Sequence, residues 1–228
     1  MEQFSATHLI ALAVTAAIAV AAGAWARRHR PGDARLLRAR RILAAAMVAS
    51  EAALRTAVYA IDGVRPGANL PLHLTHATWL VCVIALWTAR PIFFELVYFW
   101  GAAAVVQAMV TPSLSHDFPD VRFWEFMAIH APVIVGIVFM AWGCRMTPRG
   151  GAVLRAWFAS WAVFAIAAAA SAITGGNYMF ARRPPPQGSL IDWMGPWPWY
   201  LATAALMALL VFWLLDRPFD RRRATQGG

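Results

Sequence analysis

The chain has 228 residues, of which 61% are hydrophobic and 14% charged, with a formal net charge of +9. Soluble domains carry roughly 25% charged residues, and the apolar residues here gather in runs near the ~20 that cross a bilayer core as one helix. A soluble globular domain is excluded. Nucleic acid is also excluded as a partner for the positive charge, because no folded basic face with readout residues is present.

Seven apolar spans are predicted in chain order, at 7–26, 42–61, 71–89, 91–111, 124–144, 155–174 and 195–215. The first begins MEQFSATH, which is acidic and polar and lacks the basic region of a cleaved leader. All 20 basic residues are arginine. Fifteen fall on one side of the predicted bundle, seven of them in RRHRPGDARLLRARR, and four (Arg65, Arg122, Arg182, Arg183) on the other. Positive charge marks the cytoplasmic side. The expected fold class is therefore all-α, a polytopic membrane bundle of seven transmembrane helices over 1–216. Its N-terminus lies outside and its C-terminus in the cytoplasm, followed by a basic tail over 217–228. Cys82 and Cys144 are read as small packing residues, since free cysteine behaves as a small hydrophobe.

Ionisable and polar side chains inside a membrane are functional candidates by default. On this topology they converge on one level, the outer leaflet: His8, Asp62, His73, Thr75, His76, Gln107, Thr111, Glu125, His130, Asn177, Tyr178 and Asp192. Glu95 is the exception. His73 and His76 are three apart and share a helix face. His130 lies six residues into its span, about 9 Å below the interface, where a neutral imidazole can serve as a general base. Glu51 and Arg55 stand in the favourable order for an i,i+4 pair. Arg55 either closes an internal ion pair or holds a substrate phosphate or carboxylate. The loop TGGNYMFARRPPPQGSLIDWMGPWPWY combines helix-ending glycines, a proline run of extended character and interfacial Trp193, Trp197, Trp199 and Tyr200.

The stretches LPLHL, YFWGAAAVVQAMVTPSLSHDFP, FMAIHAPV, TGGNYMFARRPP and SLIDWMGPWPWY, in this order, resemble the YwaF-like family of bacterial integral membrane proteins, over nearly the whole chain. That family is distantly similar to eukaryotic transmembrane acyltransferases that remodel ether phospholipids through a cysteine nucleophile near a P-x-H motif and a histidine in a later helix. The resemblance maps Pro71-Leu72-His73 onto P-x-H and His130 onto the later histidine. It leaves no cysteine at the nucleophile position, where many bacterial relatives have one in place of Thr75.

The resulting expectation is a lipid-modifying acyltransferase or hydrolase of the bacterial inner membrane, with His73, His130 and Thr75 catalytic. Thr75 or an activated water would attack. His76, Gln107, Asn177, Tyr178, Arg182 and Arg55 are the candidate substrate-binding residues, and membrane lipids the expected partners. Neither cofactor nor metal is expected in this reading, and oligomeric state stays open. The alternatives are a metal-dependent seven-helix hydrolase with zinc on His73, His76 and His130, a non-enzymatic lipid- or small-molecule-binding protein, and, ranked last, a transporter.

Overall fold

The computed structural model describes residues 3–112, 114–185 and 190–226. Seven long helices account for most of them: α1 (Ala6–Arg27), α2 (Ala34–Asp62), α3 (Leu74–Thr88), α4 (Pro91–Val110), α5 (Val121–Gly143), α6 (Ala152–Thr174) and α7 (Trp199–Gln226). Among the described residues there is no strand. Six of the helices are long and apolar enough to cross a membrane. The seventh, α3, has 15 residues and spans roughly 22 Å, short of a ~30 Å hydrocarbon core.

Local chemistry sets the helix ends. Ser5, Asp33 and Asp120 cap α1, α2 and α5 by accepting the N–H of His8, Arg35 and Arg122, which satisfies donors that a helix start leaves unpaired. Pro91 opens α4 at a position where its missing N–H costs nothing. Gly175, at φ 73°, ends α6 in the left-handed conformation that glycine adopts freely. The helix after 195 starts later than expected and continues to Gln226, so residues 217–226 extend α7. Upstream, α2 starts eight residues before its predicted span, because ARLLRARR forms an arginine-rich first two turns outside the apolar stretch. Gly101–Val105 in α4 and Phe139–Gly143 in α5 are π-helical turns.

Because successive helices alternate in direction, the starts of α1, α3, α5 and α7 share one end of the bundle with the ends of α2, α4 and α6. We call it the N-terminal end. α3 and α4 form the middle, with α1, α2 and α5 on one flank and α6 and α7 on the other. One apolar core joins Met47, Leu86, Phe94, Val133 and Met140 of α2 to α5. A second joins Phe99 and Trp100 to Ala156 and Phe212. The outer surface is as apolar as the core: Ile10, Ile18, Phe158, Ile166, Leu206 and Leu214 are all exposed, as expected of helices whose solvent is hydrocarbon. Cys82 is fully buried with its Sγ against Gly136, which leaves no space for an attacking role.

Candidate functional site

Arg55, seven residues before the end of α2, organises the interior of the N-terminal half. Its Nε donates to Glu51 Oε1 at 2.9 Å, one helical turn below. Its Nη2 forms a close ion pair with Glu125 of α5. The same nitrogen lies 2.8 Å from His76 Nε2 of α3. One guanidinium thus links three helices, two carboxylates and an imidazole, and all three charged side chains are at least 84% buried. Arg55 also lies 5.7 Å from the centroid of the Tyr59 ring. A guanidinium only donates, so His76 Nε2 accepts and, in the neutral ring, Nδ1 carries the proton. That buried Nδ1 has no hydrogen-bond partner among the described residues, and neither do the buried Glu51 Oε2 and Trp79 Nε1.

His130 has the complementary polarity. Its Nδ1 donates to the carbonyl of Phe126 at 2.8 Å, which fixes Nε2 of the neutral ring as an acceptor. The Phe126 ring stacks on it at 4.1 Å. α5 begins at Val121, earlier than the predicted span, so His130 lies nine residues in, about 14 Å from the helix start and deeper than expected. His76 is within electrostatic reach of both His73 and His130. The His73 and His76 rings are 6.3 Å apart.

Two loops roof this interior. Tyr178 is 1% exposed, and its hydroxyl donates to Pro66 O at 2.6 Å and accepts Leu70 N–H at 3.1 Å. Gly67 and Gly176 let the two loop backbones touch, since a Cβ on Gly176 would stand 2.8 Å from Gly67 O. Asn177 closes the following turn: Oδ1 accepts from the N–H groups of Arg182 and Arg183, and Nδ2 donates to Arg183 O. Met179 N–H points at His73 Nδ1 at 3.4 Å. Met179 and Phe180 both have positive φ, 51° and 55°, a strained conformation for non-glycine residues. Between the two loops lies a cavity of about 460 Å³ lined by Gly67, Ala68, His73, Asn177, Tyr178, Phe180, Arg183 and Pro184. A larger one, about 1010 Å³, lies on the other side of α3, between α4, α6 and α7.

The structure sorts the sequence candidates. It brings Arg55, His76 and Glu125 into one cluster, with His73 beside it and His130 close by. Arg55 is committed to internal partners, as the ion-pair reading expected. Asn177 and Tyr178 are engaged in holding the roof. Arg182 is exposed, its Nη1 3.5 Å from Ser171 O. Gln107 is exposed and lines the larger cavity, away from the histidines. Thr75 is half-buried, and among the described residues no hydrogen bond joins it to a histidine. His8 is a tether: Nδ1 accepts from Phe4 N and Nε2 donates to Met109 O, tying α1 to α4. Asp62 pairs with Arg122, which also holds Asp120. Tyr200, expected in the interfacial belt, is 1% exposed and donates to Phe180 O, whereas Trp193, Trp197 and Trp199 are exposed as expected. The sequence places Glu125 in the polar layer but not among the candidate catalytic or binding residues. The signal for it is a second carboxylate at the depth of an arginine with only one intrahelical partner. Among the described residues no three His, Cys, Asp or Glu side chains are arranged to hold a metal ion. The third proline of the 184–186 run lies outside the described residues.

Apolar helices closed around a charged interior define a polytopic α-helical membrane protein. The chain belongs to the TMEM164 family, whose family model matches residues 3–216. No curated protein and no solved structure matches it.

Proposed function

We propose that this TMEM164-family chain is a YwaF-like bacterial member working in the inner membrane as a lipid-modifying acyltransferase or hydrolase. In this reading the N-terminal end of the bundle faces outside, which the arginine asymmetry supports. The observation that carries the proposal is the pair of histidines with opposite polarity: His76 presents a buried Nδ1–H with no partner among the described residues, and His130 presents an acceptor Nε2. A hydrogen-bond donor for the oxyanion and an acceptor for the attacking proton are what acyl transfer requires.

The reaction runs as a base-assisted attack. A hydroxyl, from water or from an acceptor lipid, gives its proton to His130 Nε2 as its oxygen bonds to the ester carbonyl carbon. His76 Nδ1–H, or His73, hydrogen-bonds the resulting oxyanion. The intermediate collapses, the C–O bond to the leaving alcohol breaks, and that alcohol takes the proton back from His130. With water the product is a free acid; with a lipid hydroxyl the acyl group is transferred. Arg55, Glu51 and Glu125 act as positioning residues that fix the His76 tautomer. Thr75 is the competing nucleophile, and its lack of a histidine partner favours the activated hydroxyl. A lipid-binding role without turnover is the second reading, favoured by the larger cavity.

The test is turnover of ester phospholipids by purified protein in nanodiscs, beside lipid profiles of cells expressing each variant. His130→Gln should lose about 100-fold or more, the usual contribution of a general base, while melting like the wild type. Thr75→Ala should retain turnover; its loss would assign covalent catalysis instead. Wild-type protein that alters no acyl chain in either assay would leave the binding role.

A further inference from the structure

The cavity of about 1010 Å³ between α4, α6 and α7 plays no part in the chemistry above. It lies on the α4–α6–α7 side of α3: Leu74 lines it, while Ala77 and Val81 of the same face pack against that core, and Met179 and Phe180, which also meet His73, form part of its wall. Its deep walls are aromatic carbon, contributed by Trp100, Trp157, Phe164 and Phe212. The polar side-chain atoms of Trp100, Trp157 and Ser160 are already used. Trp100 Nε1 donates to Ser160 Oγ at 2.8 Å, Ser160 Oγ donates to Ala156 O, and Trp157 Nε1 donates to Ala205 O. The deep chamber therefore offers a guest almost nothing to hydrogen-bond, and an apolar chamber of this kind does not hold ordered water.

The opposite, N-terminal end differs. Gln107, Thr111 and Ser115 line it. The Thr111 hydroxyl is used on Gln107 O, whereas the Gln107 side-chain amide makes no hydrogen bond among the described residues. A free amide at the mouth and bare hydrocarbon beyond it match an amphiphile with a neutral carbonyl above a long chain. The dimensions agree. From Thr111 to Trp100 the α4 wall is about 16 Å long, close to the ~15 Å of one leaflet in a ~30 Å hydrocarbon core. An α-helix of that length, roughly 10 Å across, would need more room than 1010 Å³, so a second protein segment does not fit. Gln107, Trp161 and Met207 are exposed as well as lining, so the chamber is open to a guest.

We infer that this chamber binds one acyl chain of a lipid drawn from the leaflet at the N-terminal end, with the ester carbonyl of that lipid at the Gln107 amide. This binding is independent of the histidine chemistry.

The probe is a phosphatidylethanolamine with a diazirine at the end of one acyl chain, diluted into phosphatidylethanolamine nanodiscs holding the full chain. After irradiation, adducts are mapped by tandem mass spectrometry. Adducts are expected on Trp100, Trp157 and Phe212. They should fall about tenfold in Ala204→Trp, which fills the chamber, and several-fold in Gln107→Leu, the scale of one or two lost hydrogen bonds. Leu210→Trp, on the outward face, should leave them unchanged and shows that an added indole on α7 is tolerated. Retention of the adducts in His130→Gln separates this site from the catalytic reading. Adducts confined to outward Leu206, Leu210 and Leu214, or undiminished by both chamber substitutions, would overturn the inference.

Discussion

Of the buried ionic knots among the described residues, two are built to opposite ratios. At the C-terminal end, Glu95 is fully buried and takes two guanidiniums. Its Oε1 accepts from Arg149 N and Nε, and its Oε2 from Arg149 Nη2 and Arg155 Nε. Both carboxylate oxygens are saturated and the outer parts of the two arginines reach the surface, although the buried Arg155 Nη2 has no partner among the described residues. In the N-terminal half, one guanidinium serves two carboxylates and a histidine, and polar atoms are left over on Glu51, His76 and Trp79. A saturated knot rigidifies. An unsaturated one, costly to bury, retains capacity to bind or to move a proton. The difference separates a staple whose carboxylate is fully engaged, holding the 145–155 turn to α4, from a cluster whose carboxylate and imidazole keep unpaired atoms among the described residues.

Breaking the staple should have the largest effect on stability. Glu95→Ala should cost on the order of 3 kcal/mol, the low end for opening a buried pair, because both arginines can turn toward water. The thermal midpoint in detergent reads it, and a wild-type midpoint would refute the staple. Arg55→Met should lose less stability, since either carboxylate can take up a proton in place of the guanidinium, yet it should abolish turnover. Adding Glu125→Gln to Arg55→Met should then restore the melting temperature without restoring activity; a parallel return of both would make the Arg55 cluster another staple.

Smaller effects sharpen the contrast at the roof. Tyr178→Phe removes two hydrogen bonds between the loops and should cost about 1–2 kcal/mol, with faster amide exchange at Leu70. The smallest effect concerns Asp120, the cap of α5. The backbone N–H of Arg122, and then its guanidinium, hold the Asp120 carboxyl below the ordinary carboxylate range. Its stabilisation is therefore present above the unfolded value of about 3.9 and fades as pH falls through the lower folded value. The gap between wild type and Asp120→Asn should be seen at pH 6 and vanish in strong acid. A gap that ignores pH would remove the charge from the argument.

Helix positions were legible in the sequence because long apolar runs leave few alternatives in lipid. The depth of the polar layer was legible too, since arginine asymmetry and span ends fix a vertical coordinate. Rotation about each helix axis was not. His8, Asp62, Asn177 and Tyr178 belong to the same end of the bundle as His76 and Arg55, but lie nearer its rim, and their side chains turn toward other neighbours and act as tethers. Whether Glu125 meets Arg55 depends on how α2 and α5 are turned, and a single sequence with apolar residues on every face carries no amphipathic stripe to reveal it. The shortness of α3 was missed for a different reason: LPLHL is apolar enough to read as helix, yet Pro71, the Leu72 N–H to Leu70 O bond and the Tyr178 hydroxyl on Pro66 O and Leu70 N–H hold it in bends outside the helix.

That short helix has a consequence for the bilayer itself. His76, two residues into α3, meets Arg55, seven residues short of the end of α2, so α3 begins roughly 7 Å below its neighbour's rim by helical rise. Irregular backbone at such depth is tolerated only against protein or a water-filled space. The Leu70–His73 segment therefore floors a notch in the bundle rather than a lipid-facing wall. The surrounding membrane meets a scaffold of uneven height, the condition that dimples a bilayer inward by hydrophobic mismatch.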